Sequence, residues 1–265
     1  MKPIILARPD VGSQPSPARR PLHVISARGV AMPSRFFPPA DMASAEGLIF
    51  VGGRLSVDRL LDAYRHGIFP WPAFPGEPML WWTPDPRAIL PLDGMYISRR
   101  LRRRLRAGQF RFTANAAFAD VLAGCATGPG RERGTWLTPD MIDAYVELHR
   151  RGHAHSVEAW HGDRLVGGVY GVAIGGFFAA ESMFFRERDA SKAALATLVD
   201  HLSRRGYALL DVQQWTPHTG RLGVVQIPRR QYLRQLAAAV ELPVTFGQLN
   251  SSHGNSQGSI PPDHA

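Results

Sequence analysis

Two carboxylates set among apolar residues carry the first chemical signal. They are Glu181, in Phe177-Phe178-Ala179-Ala180-Glu181-Ser182-Met183-Phe184, and Asp211, in Ala208-Leu209-Leu210-Asp211-Val212-Gln213. Both segments read as short buried strands. A carboxylate taken out of water is costly unless it is paired or hydrogen-bonded. As a pair the two acids would suit an acid–base dyad; the alternative is a purely structural role for each.

Two further constellations point to a polyanion. The block Ser98-Arg99-Arg100-Leu101-Arg102-Arg103-Arg104-Leu105-Arg106 predicts a helix with Leu101 and Leu105 facing the protein. Arg99, Arg103 and Arg106 then share a stripe suited to the phosphates of a folded RNA, which it would position without reading sequence. A solvated helix face is the plainer alternative. The aromatic residues Trp71, Trp81, Trp82, Trp136 and Tyr145 suit stacking on unpaired bases, or a Trp-rich core, which is favoured for Trp81 and Trp82.

Other candidates are weaker. His153 and His155 form an H-x-H pair, but no third ligand stands at metal-site spacing, so a structural pair and no metal are expected. The lone Cys125 excludes an intramolecular disulfide and reads as core. Arg164-Leu165-Val166-Gly167-Gly168 faintly suggests an acetyltransferase pyrophosphate loop, yet its glycines fall inside a predicted hairpin and not at a helix start.

The elements that must position these residues are legible. Ser56 caps a helix through Val57, Leu60, Leu61 and Tyr64 that stops at Gly67, and 75–86 is expected to be irregular because of its prolines. Ser98 caps the Arg helix, Phe110–Thr113 reads as a strand, Asn115–Ala126 as a helix, and Thr138-Pro139 opens another that ends at Gly152. Strands His155–Trp160, Leu165–Ile174 and Phe177–Phe184 form a meander through Gly-bearing turns. A helix Ala190–Arg205, a strand Tyr207–Gln213 and a helix opened by Pro228 complete an α+β order. A right-handed crossover sets Asp211 and Gln213 beside Glu181.

Composition agrees. The 265 residues, 45% of them apolar, allow one large or two unequal domains. The net charge of +9 is concentrated in two places: +5 in residues 1–35 and +7 in 87–111. Such localised charge favours a nucleic-acid partner over a membrane. With no membrane-length apolar run, no convincing signal peptide and one cysteine, a cytoplasmic protein is expected. Four segments are predicted: a disordered extension 1–35, a small N-terminal domain 36–90, a larger domain 91–247 and a disordered tail 248–265.

Taken in order, several segments resemble the leucyl/phenylalanyl-tRNA–protein transferase family. They include Ala63-Tyr64-Arg65-His66-Gly67-Ile68-Phe69-Pro70-Trp71, Leu80-Trp81-Trp82-Thr83-Pro84-Asp85-Pro86-Arg87, Gly134-Thr135-Trp136, Gly152-His153-Ala154-His155-Ser156-Val157-Glu158, Glu181-Ser182-Met183-Phe184, Ala190-Ser191-Lys192 and Ile227-Pro228-Arg229-Arg230. The resemblance spans about residues 36–245. It implies an acetyltransferase-like (GNAT-type) domain that uses no coenzyme A and no other cofactor. It also implies transfer of Leu or Phe, with Met admitted, from charged tRNA to the N-terminal Arg or Lys of an acceptor protein by a monomer.

On that resemblance Asp211 and Gln213 are the catalytic pair. Gln213 meets the amine or carbonyl, and Asp211 orients it or accepts a proton; a route through the terminal ribose hydroxyl competes. Glu181 holds the aminoacyl amine or the incoming cation, beside an apolar pocket of Val169, Phe178, Met183 and Leu195. Tyr64, Trp71, Trp136 and Tyr145 surround the terminal adenosine, and Arg99, Arg103 and Arg106 hold the acceptor stem. The chain departs from the family pattern at Thr216, Arg54 and Gln226. A coenzyme A-dependent N-acyltransferase of the same fold and a non-catalytic RNA-binding module stay open as other readings.

Overall fold

The computed structural model describes residues 33–72, 76–127 and 136–249. The expected disordered ends therefore lie outside the described residues, apart from 33–35 and 248–249.

A small sheet comes first. β1 (Leu48–Val51) precedes α1 (Val57–Arg65), where the Ser56 hydroxyl accepts from the Arg59 N–H and Leu60, Ala63 and Tyr64 are buried. Gly67, at φ +72°, turns the chain into β2 (Phe69–Pro70). β3 (Leu80–Trp82) lies between β1 and β2, antiparallel to both. This corrects the expectation that 75–86 is irregular throughout. The run Met79–Trp82 contains no proline, and Trp81 is fully buried with its indole N–H donating 2.9 Å to the Gly52 carbonyl. Trp81 is core, and the half-buried Trp82 donates to the Trp71 carbonyl at 3.0 Å.

The larger sheet carries the candidate acids. Its members are β4 (Arg87–Ile89), β5 (Arg111–Ala114), β6 (Ala154–His161), β7 (Arg164–Ile174), β8 (Phe177–Phe185), β9 (Leu209–Gln213) and β10 (Val225–Ile227). Their order is β10-β4-β9-β8-β7-β6-β5, antiparallel except for β8 and β9. β4, from the segment assigned to the N-terminal domain, thus sits inside this sheet.

The helices are α2 (Arg99–Arg106), α3 (Phe118–Thr127), α4 (Pro139–Arg150), α5 (Ala190–Arg205), α6 (Pro217–Gly220) and α7 (Arg229–Ala239). α3 starts three residues later than expected because Asn115 takes φ +60° and bonds to Ser156 on β6. β9 likewise starts at Leu209, since the N–H of Tyr207 closes the end of α5 on the Leu202 carbonyl. Two apolar layers hold the assembly. One joins Tyr64, Phe118, Met141, Tyr145, Tyr170, Phe177 and Tyr232; the other joins Val169, Phe178 and Leu210 to Leu198 of α5.

Two irregularities shape the middle of the sheet. On β8, Tyr170 pairs with Ser182 and Gly171 with Ala180, so Glu181 is an extra bulge residue. Gly171 permits the close approach, because a Cβ there would stand 2.1 Å from the Ala179 carbonyl oxygen. On β9, Ala88 pairs with Gln213 and Ile89 with Asp211, which leaves Val212 bulged, and Gln213 adopts φ +67°. The parallel pairing of β8 with β9 ends at Ala179 and Asp211. Beyond that point the strands part, and the bulges aim Glu181 and Gln213 across the opening.

Candidate active site

Asp211 is completely buried, and its environment is a closed set of donors. Arg87, also buried, grips it with a fork: Nε to Oδ1 at 2.9 Å and Nη2 to Oδ2 at 2.6 Å. The Gln213 backbone N–H adds a bond to Oδ1 at 2.8 Å, and the Tyr232 hydroxyl one to Oδ2 at 2.8 Å. The third guanidinium nitrogen donates 2.9 Å to the Gly67 carbonyl, so the site is tied to the turn after α1. The guanidinium lies between the rings of Phe69 (4.8 Å) and Tyr232 (4.6 Å). Burial alone would lower the Arg87 pKa, but the charge and hydrogen bonds of Asp211, together with Tyr232 and Glu181, outweigh it and hold the group above its ordinary value. Burial raises the Tyr232 hydroxyl well above 10, only partly offset by Arg87.

Glu181 has a different setting. It is half-buried; Oε1 accepts from Gln213 Nε2 at 2.8 Å and Oε2 from the Tyr145 hydroxyl at 3.0 Å, and the Tyr64 hydroxyl also hydrogen-bonds the carboxylate. Tyr145 in turn meets the Tyr64 hydroxyl at 2.7 Å. Burial pushes the Glu181 carboxyl up to about 7, against the hydrogen bonds from Tyr64, Tyr145 and Gln213 that lower it. Burial likewise lifts both tyrosine hydroxyls well above 10. The two acids therefore differ in kind. Asp211 sits in a saturated ion pair, while Glu181 has no cationic partner among the described residues and its carboxyl is pushed up to about 7 by burial.

The remaining predicted residues separate into groups. Trp71, 36% exposed, tilts against Trp136 with ring centroids 5.6 Å apart, a pair suited to an aromatic ligand. Tyr64 and Tyr145 are only 1% exposed and offer no face to a base; their hydroxyls serve Glu181 instead. Val169, Phe178 and Met183 belong to the apolar layer that also contains Leu195 of α5, and Met183 is the least buried of the four.

Arg99, Arg103 and Arg106 are exposed along α2 and make no ion pair among the described residues, while Leu101 is buried below them. Arg100 and Arg104 are engaged with Asp189, the residue before α5. Asp189 is the N-cap residue of α5, but its side chain makes no capping bond and is given to these arginines instead. Arg164-Leu165-Val166-Gly167-Gly168 lies within β7.

His155 stacks on Phe246 at 4.2 Å and contacts the Gly152 carbonyl, and burial lowers its pKa to about 4. Among the described residues no group of three or more His, Cys, Asp or Glu is placed to hold a metal ion. Thr216 caps α6 and accepts from the Thr219 N–H at 3.1 Å, while Arg54 and Gln226 are exposed.

Sequence reasoning missed Arg87 and Tyr232. A fully apolar neighbourhood around Asp211 requires a cation, and Arg87, at the head of Arg87-Ala88-Ile89-Leu90, is the Arg in a strand-like run. That signal was available; its pairing with a residue 124 positions away was not.

The sequence comparisons point to one family. The family model for the leucyl/phenylalanyl-tRNA protein transferase matches residues 89–237, and the model for that transferase's N-terminal domain matches 53–85. A leucyl/phenylalanyl-tRNA–protein transferase of Nitratidesulfovibrio vulgaris (strain DP4) is 50% identical over 213 residues, 80% of this chain and 91% of that protein. One from Xanthomonas campestris pv. campestris (strain B100) is 47% identical over 231 residues, 86% and 92% of the respective chains. Among solved structures, a ribosomal-protein-alanine N-acetyltransferase from Brucella melitensis biovar Abortus 2308 aligns with 42% of this chain and 85% of its own. Its TM-score is 0.31 and its identity 21%. With matches to both parts of the transferase model and a relative 50% identical over 80% of its length, this chain belongs to the leucyl/phenylalanyl-tRNA–protein transferase family.

Proposed function

We propose that the protein transfers Leu or Phe, and to a lesser extent Met, from aminoacyl-tRNA to the N-terminal Arg or Lys of acceptor proteins, which marks them for degradation. The observation that carries this reading is the bridge between Gln213 and Glu181 across the parted ends of β8 and β9. The donor is an ester, already activated, and the nucleophile is an α-amine with a pKa of about 8. Such a reaction needs placement and stabilisation of the tetrahedral oxyanion more than it needs a strong base.

Asp211, immobilised by Arg87 and Tyr232, holds the Gln213 backbone. With its Nε2 donated to Glu181, Gln213 keeps its amide oxygen free to accept from the attacking amine. Trp71 and Trp136 stack the terminal adenine, while Val169, Phe178, Met183 and Leu195 receive the aminoacyl side chain. The flexible Met183 admits Leu, Phe and Met and disfavours β-branched Ile and Val, with the modest selectivity of about 1–3 kcal/mol per methylene expected of apolar pockets. The stripe Arg99, Arg103 and Arg106 holds the acceptor stem. No helix among the described residues is long and apolar enough to cross a membrane; we place the enzyme in the cytoplasm as a monomer.

The test is direct. Purified protein, Leu-tRNA and a peptide beginning with Arg should yield the Leu-extended peptide, with Phe-tRNA accepted and Ile-tRNA poor. Absence of transfer while the ester survives would refute the assignment; saturable binding of coenzyme A with acetyl transfer would replace it. Trp71→Ala should raise the KM for charged tRNA by about 10- to 100-fold, the loss of one base–aromatic stack. Its melting temperature should stay within a few degrees of wild type, because Trp71 is partly exposed. An unchanged KM would remove Trp71 from the tRNA site.

A further inference from the structure

We infer that Glu181 is the proton acceptor of the transfer reaction, and that Asp211 takes no proton and acts as a positioning residue for Gln213. This rests on the reading of the site as an aminoacyl-transfer centre. The argument is a count of acceptor sites. A carboxylate offers about four lone-pair directions. Asp211 has all of them filled: Arg87 Nε and the Gln213 N–H on Oδ1, Arg87 Nη2 and the Tyr232 hydroxyl on Oδ2. It is also fully enclosed, so an amine proton has neither a route to it nor a lone pair to land on. Glu181 accepts from Gln213 on Oε1 and from Tyr145 on Oε2, with the Tyr64 hydroxyl as a third hydrogen-bonding neighbour, and its residue is only partly buried. Three donors leave at least one of its roughly four lone-pair directions vacant.

The steps balance without another reactant. The neutral amine attacks the ester carbonyl carbon, the C–N bond forms, and the carbonyl π electrons move to oxygen. An N–H proton passes to a Glu181 oxygen, which becomes a carboxylic acid. The oxyanion then collapses, the bond to the ribose oxygen breaks, and Glu181 returns the proton to that leaving oxygen. The carboxylate is regenerated, and Gln213 stays on Oε1 throughout as the aligning group.

The environment suits a group that must both take and release a proton. Burial raises the Glu181 carboxyl to about 7, close to the working range of a general base. The groups facing it are Tyr64 from α1, Tyr145 from α4, Gln213 and Asp211 from β9, and the charge of Arg87 on β4. The tyrosines and Gln213 favour the carboxylate, whereas Asp211 opposes it, and Arg87 is committed to Asp211.

The experiment is single-turnover transfer at saturating Leu-tRNA from pH 5.5 to 8. In wild type, carboxylate and free amine are both required, so log rate should climb about two units per pH unit below both pKa values and about one between them. Glu181→Gln should cut the rate about 10²- to 10⁴-fold and leave only the amine-dependent rise. Tyr145→Phe removes a bond that favours the carboxylate and should move the steeper rise to higher pH. Acceptor peptides of lower amine pKa should shift the shallow rise alone.

Affinity for Leu-tRNA serves as the check on folding of Glu181→Gln, and Tyr145→Phe decides the matter if that variant does not fold. A wild type with only the amine-dependent rise, as the ribose-hydroxyl route demands, would overturn the assignment, as would an unshifted profile in Tyr145→Phe. Failure of wild type to transfer at all would refute the site reading itself.

Discussion

Arg87→Met should lower the stability of the fold by about 3–5 kcal/mol, the loss expected when one partner of a buried ion pair is removed. Asp211 would keep only the Gln213 N–H and the Tyr232 hydroxyl, with its charge uncompensated at zero exposure. The Gly67 carbonyl would also lose its donor, which loosens the turn between α1 and β2. Denaturant titration measures this directly. A midpoint shift worth less than about 1 kcal/mol would mean the pair behaves like a surface salt bridge and would remove it as the anchor of the site.

Two companion variants separate charge from geometry. Arg87→Lys keeps a cation but cannot reproduce the two-pronged grip on Asp211 together with the bond to Gly67. It should fall between wild type and Arg87→Met in stability. The double variant Arg87→Met with Asp211→Leu removes both charges and should recover much of the stability. It should not recover transfer, because nothing would then fix the Gln213 backbone in its left-handed conformation.

Replacing Arg99, Arg103 and Arg106 together by Gln should weaken tRNA binding without unfolding the protein. The three guanidiniums are exposed and make no ion pair among the described residues, so stability should change by no more than about 0.5 kcal/mol per site. Each phosphate contact contributes about 0.7–0.9 to the slope of log K against log salt. The triple variant should therefore flatten that slope by about 2–3 units, and its affinity should converge on wild type as salt rises. Filter binding or fluorescence titration across 50–300 mM salt, roughly the range where counterion release dominates, provides the measurement. An unchanged slope would make α2 a solvated face and move the acceptor stem elsewhere. Arg100 and Arg104 are not part of this test, since Asp189 already engages them.

Local chemistry made much of this protein readable from its residues alone. Ser56, Ser98 and Thr138 each cap the helix expected of them, because a cap depends on neighbours three residues away. The meander of β6, β7 and β8, the length of α5 and the parallel return of β9 follow from glycine turns and apolar runs. The arginine stripe on α2 follows from two leucines four residues apart. Glu181, Asp211 and Gln213 stood out because polar side chains in apolar strands demand partners.

What those partners are was decided only by the tertiary structure. Arg87 reaches Asp211 across 124 positions, and Tyr64 reaches Tyr145 across 81. No periodicity encodes contacts of that range, since they depend on how α1, α4 and β4 pack on the sheet. The two bulges are equally hidden, because a one-residue shift in pairing leaves the apolar pattern of Phe177–Phe185 and Leu209–Gln213 almost unchanged. Sequence by itself determined that two buried acids needed a reason to exist. Packing gave them opposite ones: it saturated Asp211 inside the protein and left Glu181, lifted out on its bulge, with room to accept a proton.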